Sequence, residues 1–202
     1  MAVQSDLQAI SSRLERGEID SAQYLEQLMR YVAAHLGCAR AGLRVFVDTA
    51  EGRVLRCAAM YDAGLDRMVA APDLVPTGGT AYFERLQRDG SVIAEREAAD
   101  SAAPLREYLE ASKLASLMDV GFSVNGVLFG TFSCEQRSVD RVAPTRWTQR
   151  QLQSLRRIAA RASLSLMHVV TAAIDTAPGA LWESSTPNRL VTMPIPLDPP
   201  DE

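Results

Sequence analysis

The sequence predicts an α+β fold: an antiparallel sheet with long helices on one face and an irregular lid over a ligand pocket on the other. Three observations carry this. The element order runs helix, two strands, an irregular stretch, two strands, helix, which groups helices apart from strands. The strands fall into two hairpin-like pairs, and such connections join antiparallel neighbours. Side chains alternate across a strand, and three of the strands split by parity into an apolar set and a mixed set.

Taken in order, Val3, Leu7, Ile10 and Leu14 recur at helical spacing before Gly17, so residues 4–16 read as a short amphipathic helix in need of an apolar partner. The next helix opens at the N-cap Asp20, with Gln23 at the capping-box position and Ile19 able to staple onto Tyr24. Its face is Leu25, Leu28, Met29, Val32 and Leu36, and Gly37 ends it. Two strands follow, Leu43–Asp48 and Val54–Tyr61. Residues 62–113 are irregular: a Pro/Gly stretch (Pro72, Pro76, Gly78, Gly79), a helical piece at Ala81–Arg88, a strand at Ser91–Ala94 and a second helical piece at Leu105–Ala111. A segment of this length inside a compact domain is usually a functional covering.

The hairpin Leu117–Val124 and Val127–Glu135 around Asn125-Gly126 is the sharpest local signal. A two-residue turn would pair Val120 with Thr131 and mix the two faces, so a loop of odd length is expected, Val124-Asn125-Gly126 with Gly126 left-handed. Trp147 then staples onto Leu152 across the N-cap Thr148, and the last helix faces inward with Leu152, Leu155, Ile158, Ala159, Ala162, Leu166 and Val169. The chain divides into an amphipathic helical segment (1–18), a folded domain (19–170) and an acidic, Pro-rich tail (171–202) expected to be unfolded.

That tail holds five acids (Asp175, Glu183, Asp198, Asp201, Glu202) against Arg189, and the excess equals the whole net charge of −4. The neutral body lacks the basic face of a nucleic-acid binder. No apolar run approaches the roughly 20 residues of a membrane helix, and the first residues do not read as a signal peptide, so a cytoplasmic location is expected. Three cysteines at scattered spacing, Cys38, Cys57 and Cys134, fit neither a disulfide framework nor a zinc knuckle. The Thr77-Gly-Gly-Thr80 loop lacks the Gly-Lys-Ser/Thr of a phosphate cradle and reads as a hinge. No catalytic or metal site is predicted.

Parity locates the candidate site. Leu43, Val45 and Val47 oppose Arg44, Phe46 and Asp48; Met118, Val120, Phe122 and Val124 oppose Leu117, Asp119, Gly121 and Ser123; Leu128, Gly130, Phe132 and Cys134 oppose Phe129, Thr131, Ser133 and Glu135. The apolar sets should pack on the helices. The mixed sets should face the irregular segment, with Tyr82, Phe83 and Tyr108 as lid residues. Two carboxylates, an arginine, hydroxyls and aromatics beneath a cover form a polar-ligand pocket, expected to be lined by Arg44, Phe46, Tyr82, Leu117, Asp119, Thr131, Ser133 and Glu135. With Asp119 and Glu135 as repelling anchors, a ligand offering donors or positive charge is expected, and Glu135→Ala should weaken binding while sparing the fold.

The runs Tyr108–Val120, Val124–Gln136 and Arg146-Trp147-Thr148 resemble the C-terminal half of bacterial GAF domains, and Ala81–Leu86 and Ser91–Ala94 are similar to upstream segments of that family. Gly121-Phe122 stands where Pro-Ile is usual, Phe129 replaces a Trp and Gln136 a His. The resemblance spans about residues 20–168 and implies a small-molecule sensor of signal transduction, acting as a stand-alone domain without its own output domain, with a homodimer through the terminal helices and a possible signalling partner protein. In phytochrome members the positions matching Asp119 and Glu135 line the tetrapyrrole pocket. Neither residue is the type used there and no cysteine sits at an attachment position, so no bilin is predicted and the ligand is unassigned. The resemblance leaves two alternatives: a thiol enzyme like the GAF-fold reductases of free methionine sulfoxide, and a ligand-free interaction or dimerisation module. The last helix carries Arg150, Arg156, Arg157 and Arg161, three of them opposite its apolar stripe, and the acidic tail could cover that stripe.

Overall fold

The computed structural model describes residues 2–49, 52–74, 80–96, 103–137 and 146–176. Its helices are α1 (Ala2–Glu15), α2 (Ser21–Leu36), α3 (Thr80–Asp89), α4 (Ala103–Ala111) and α5 (Gln149–Thr176). Its strands are β1 (Arg40–Thr49), β2 (Gly52–Asp62), β3 (Arg67–Met68), β4 (Ser91–Glu95), β5 (Leu114–Val124) and β6 (Val127–Arg137). All adjacent strands pair antiparallel in one sheet of order β3-β2-β1-β6-β5-β4.

Local chemistry sets the helix ends. Asp20, in extended backbone, accepts from Gln23 N at 2.8 Å, while Asp20 N donates to Gln23 Oε1 at 3.1 Å, the full capping box. Gly37 closes α2 at φ 64, a left-handed position that glycine takes without a Cβ clash. Thr148 and Gln151 repeat the reciprocal arrangement at the start of α5, at 3.0 and 3.2 Å. All seven residues expected on the inner face of α5 are buried, together with the face of α2 and with Leu43, Val45, Val47, Met118, Val120, Phe122, Phe132 and Cys134 of the sheet. Leu7 of α1 is buried in the same core, with Ile10 and Leu14 packed on it. The partner that this helix needs is supplied by its own chain, since α1 lies against α2 and α5.

The other face carries a second core: Phe46, Leu55 and Leu117 of the sheet beneath Leu74, Tyr82, Leu86, Leu105, Tyr108 and Leu109 of the covering segment. One part of that segment behaves differently from the expectation. The strand at 91–95 does not lie over the sheet but joins it as an edge, pairing with β5 from Ser91↔Val120 to Glu95↔Ser116. Of the expected hinge Thr77–Thr80, Thr80 opens α3 and residues 77–79 lie outside the described residues; of the tail expected from 171, residues 171–176 continue α5 as helix and those beyond 176 lie outside the described residues.

The β5–β6 turn corrects the expectation of an odd loop. Asn125 (φ 52) and Gly126 (φ 78) form a two-residue turn closed by Val124↔Val127. Both positive φ values suit the twist of a hairpin, which is why Asn-Gly settles there. The extra residue is absorbed further in: Ser123 faces Leu128 and Phe122 faces Gly130, so Phe129 is bulged out of the register. From Gly130 onward the predicted faces hold, with Val120 opposite Phe132 and Asp119 opposite Ser133. Before the bulge they are exchanged. Phe129 packs with the helix-side core, its ring 6.5 Å from that of Phe122, and Leu128 packs with the lid-side core.

Candidate functional site

The parity argument places eight side chains on or over one sheet face, and the structure brings them together: Arg44, Phe46, Tyr82, Leu117, Asp119, Thr131, Ser133 and Glu135 are all buried. The charges and hydroxyls among them come from the three central strands. β1 supplies Arg44, β5 supplies Asp119, and β6 supplies Thr131, Ser133 and Glu135, in the register Arg44↔Thr131 and Asp119↔Ser133. Tyr82 reaches down from α3 and Tyr108 from α4.

The polar atoms form two linked groups. In the first, Tyr108 Oη donates to Glu135 Oε1 at 2.6 Å, and Arg44 Nη2 reaches both that hydroxyl and, at 3.2 Å, the same carboxylate oxygen. Arg44 Nη1 donates to Pro72 O at 2.8 Å, and the guanidinium carbon sits 5.0 Å from the centre of the Tyr108 ring. Arg40 Nη2 lies 2.5 Å from Glu135 Oε2 as an ion pair, without the alignment of a hydrogen bond. The expectation of two repelling carboxylates therefore holds for Asp119, which Glu135 helps to push up, while Glu135 itself is neutralised by pairing. Glu135 is held between two arginines and a phenol, and although burial opposes its charge, Arg44 stays protonated beside the carboxylates of Glu135 and Asp119. Arg40 escaped the sequence reading because the strand was expected to begin at Leu43; its even number already put it in the Arg44 set.

The second group is less satisfied. Tyr82 Oη donates to Asp119 Oδ2 at 2.6 Å, while Asp119 Oδ1, Ser133 Oγ and Thr131 Oγ1 are buried without an aligned hydrogen bond. Burial pushes the Asp119 carboxyl up to about 6, against the lowering effect of Ser133, Tyr82 and Arg44 and with a smaller upward push from Glu135. The Tyr82 phenol is raised well above its usual value by the same burial and by Asp119. A buried acid with a folded-state value above its unfolded one binds its proton more tightly when folded. It adds stability that is fully present below about pH 4 and is lost as pH rises through about 6. Asp119→Asn is expected to flatten the fall in stability between pH 4 and 6, by up to about 3 kcal/mol, as read from urea unfolding at stepped pH. An unchanged slope would mean that Asp119 titrates normally.

Two of the three thiols meet, away from the polar cluster, and the third lies on the other face. Cys134 and Cys38 meet in the helix-side core, where burial, and then the contact with Cys38, push the Cys134 thiol well above its usual range. Cys57 is on the lid side opposite Arg44, and its thiol is also raised by burial. The β2 parity was unreadable in advance because Leu43 pairs with Ala59 and Arg44 with Cys57, a bulge at Ala58 that exchanges the faces midway. A separate groove of about 430 Å³ lies between α1 and α5, bordered by Leu7, Ser11, Glu15, Arg161, Leu164 and Ser165. It is a surface feature, with Leu164 68% exposed.

The fold is shared with known sensory domains. The chain resembles the phycoerythrobilin-bound GAF domain from a cyanobacterial phytochrome (TM-score 0.65, 14% identity, 84% of this chain and 97% of that one). It also resembles the bacteriophytochrome RpBphP3 from the photosynthetic bacterium R. palustris (TM-score 0.61, 13% identity, 86% of this chain), of whose length it spans 38%. A third similar structure is a domain of a putative two-component sensor histidine kinase protein from Sinorhizobium meliloti 1021 (TM-score 0.50, 17% identity, 77% of this chain and 97% of that one). At such identities the likeness concerns the fold. The search of curated proteins finds no significant match. Among the described residues no helix is long and apolar enough to cross a membrane. The family comparison is direct, because the GAF domain profile matches residues 20–166, most of the sequence and every strand of the sheet: the chain belongs to the GAF domain family.

Proposed function

We propose that this GAF domain is a small-molecule sensor of signal transduction, with no catalytic role, and that its ligand docks at Asp119 under the α3 lid. The observation that carries the proposal is the wholly buried Asp119, whose carboxylate has one well-aligned donor among the described residues, Tyr82, and otherwise only the Ser133 hydroxyl beside it, in poor alignment. Buried polar atoms without partners are costly, so a group that satisfies them adds binding free energy that the chain alone does not supply. Because Glu135 is already neutralised within the chain, Asp119 is the anchor with spare acceptor capacity, and Arg44, Thr131, Ser133 and Glu135 frame it, with Phe46, Leu117 and Tyr82 as apolar walls. The complementary ligand presents an N–H donor, as an amine, amidine or amide does, and is small, since the side chains of Tyr82 and Tyr108 fill the space above the sheet. The sensory nature of the similar domains supports the same class of role. The thiol-enzyme alternative finds little support: the Cys38–Cys134 pair is buried in the helix-side core with the Cys134 thiol raised by burial, and Cys57, also raised by burial, lies on the opposite face.

The test is a thermal-shift screen of the full chain with amines, guanidines, amides, nucleobases and amino acids. A hit at a hundredfold excess over Kd should stabilise by about 2.7 kcal/mol, and Asp119→Asn should abolish the shift. A hit that stabilises Asp119→Asn equally would place the ligand elsewhere.

A further inference from the structure

The lid helix is fastened at both ends, and the second fastening comes from α5. Arg156 Nη2 donates to Asp89 O at 2.7 Å and to Ser91 Oγ at 2.9 Å. Asp89 is the last residue of α3, where carbonyls lack intrahelical donors and the negative end of the helix dipole favours a cation. Next to it Gly90, at φ 66, accepts through its carbonyl from Gly121 N at 3.0 Å, two residues beyond Asp119 on β5. The turn at 89–91 is thus held between the strand that carries Asp119 and the helix that carries Arg156. Arg150, Arg157 and Arg161 on α5 are exposed, whereas Arg156 is partly buried against this turn.

We infer that Arg156 is a positioning residue that sets the Tyr82 hydroxyl on Asp119 and so ties the buried cluster to α5. Tyr82 and Asp89 are seven residues apart on one short helix, a rod of about 10 Å between them. A hydrogen bond of 2.6 Å tolerates displacements of only a few tenths of an ångström before it weakens. Without Arg156 the Asp89 end keeps its tether to β5 through Gly90 and β4 but loses its brace on α5, so the rod tilts on the Leu86 packing and the Tyr82 hydroxyl shifts from Asp119. The converse follows from linkage: whatever takes the place of Tyr82 on Asp119 loads the Arg156 contact and is felt by α5. The consequence for sensing rests on the ligand site proposed above; the coupling itself does not, and is measured without any ligand.

The experiment is a carboxyl ¹³C NMR titration of Asp119 in the full chain. The groups facing Asp119 are Tyr82 from α3, Arg44 from β1, and Ser133 and Glu135 from β6, and the variants leave the last three in place. Arg156→Gln should raise the Asp119 midpoint by about half a pH unit, the same direction as Tyr82→Phe, because the ionised form loses a hydrogen bond. In the Tyr82→Phe background Arg156→Gln should have no further effect. Arg156→Lys, which keeps the charge but not the planar fork, should show part of the rise. An unchanged midpoint in Arg156→Gln, or an equal rise with and without Tyr82, which is the signature of a bare charge effect, would overturn the coupling. Neither outcome bears on the ligand screen with Asp119→Asn.

Discussion

Glu135→Ala is expected to lower stability by about 3–5 kcal/mol, the range for removing one partner of a buried ion pair. Three groups lose their acceptor at once. Arg44 has no exposed surface and keeps Pro72 O and its contact with Tyr108, the Tyr108 hydroxyl is left without its carboxylate, and Arg40 loses the carboxylate it pairs with. The charge on Arg44 cannot be shed to relieve the cost, since a guanidinium stays protonated throughout the accessible pH range. The result would reverse the sequence-based expectation that this substitution spares the fold. It is measured by urea unfolding at pH 7, with Arg44→Met/Glu135→Leu as the companion, in which an apolar pair of similar volume should recover the share of the loss that comes from the buried Arg44 charge. A loss below about 1 kcal/mol in Glu135→Ala would show that Arg44 has other partners of equal worth, and that the pair does not hold the sheet face together.

What the sequence made legible follows from what a strand encodes. Period-two alternation shows which side of the sheet a residue takes, and it collected Arg44, Asp119, Ser133 and Glu135 correctly because β1, β5 and the inner part of β6 are regular there. It failed where the backbone skips a residue. Bulges leave no mark on composition, so Leu128 and Phe129 were assigned to the wrong faces, and the lid-side position of Cys57 was invisible. Pairing between charges is a further step beyond parity. That Glu135 would meet Arg40 as well as Arg44 depends on β1 running three residues further back, under Ala39 N, which donates to Glu135 O at 3.0 Å. The lid was legible as a cover but not in its attachments. Tyr82 on Asp119 and Arg156 on Asp89 join residues 37 and 67 positions apart, which no local pattern reports.

Gly130→Ala is expected to cost more than about 4 kcal/mol or to prevent folding, a size reserved for a few identifiable mechanisms of which forced overpacking is one. The reason is steric rather than conformational, because Gly130 is not among the described glycines with positive φ. It directly follows the Phe129 bulge, where β6 re-enters register against Val45 of β1 and Phe122 of β5. A Cβ there would lie 2.0 Å from Arg44 O and 2.9 Å from Val45 Cα, both backbone atoms of a central strand, and 2.8 Å from the Phe122 ring. Relief requires the β1–β6 pair to separate at the point from which Arg44 projects, so the sheet hydrogen bonds and the Arg44–Glu135 contact are strained together. Gly42 of β1 makes a useful contrast, against β2. Its added Cβ would meet the tip of Met60 at 2.5 and 2.9 Å, which can turn aside, and the backbone Ala59 O only at 3.0 Å, so Gly42→Ala should cost less, about 1–3 kcal/mol. Both variants are read by urea unfolding, with the recovery of folded protein as the first indicator. If Gly130→Ala unfolds within about 1 kcal/mol of the parent chain, the backbones of β1 and β6 are not as close as the structure places them, and the register that assembles the buried cluster has to be redrawn.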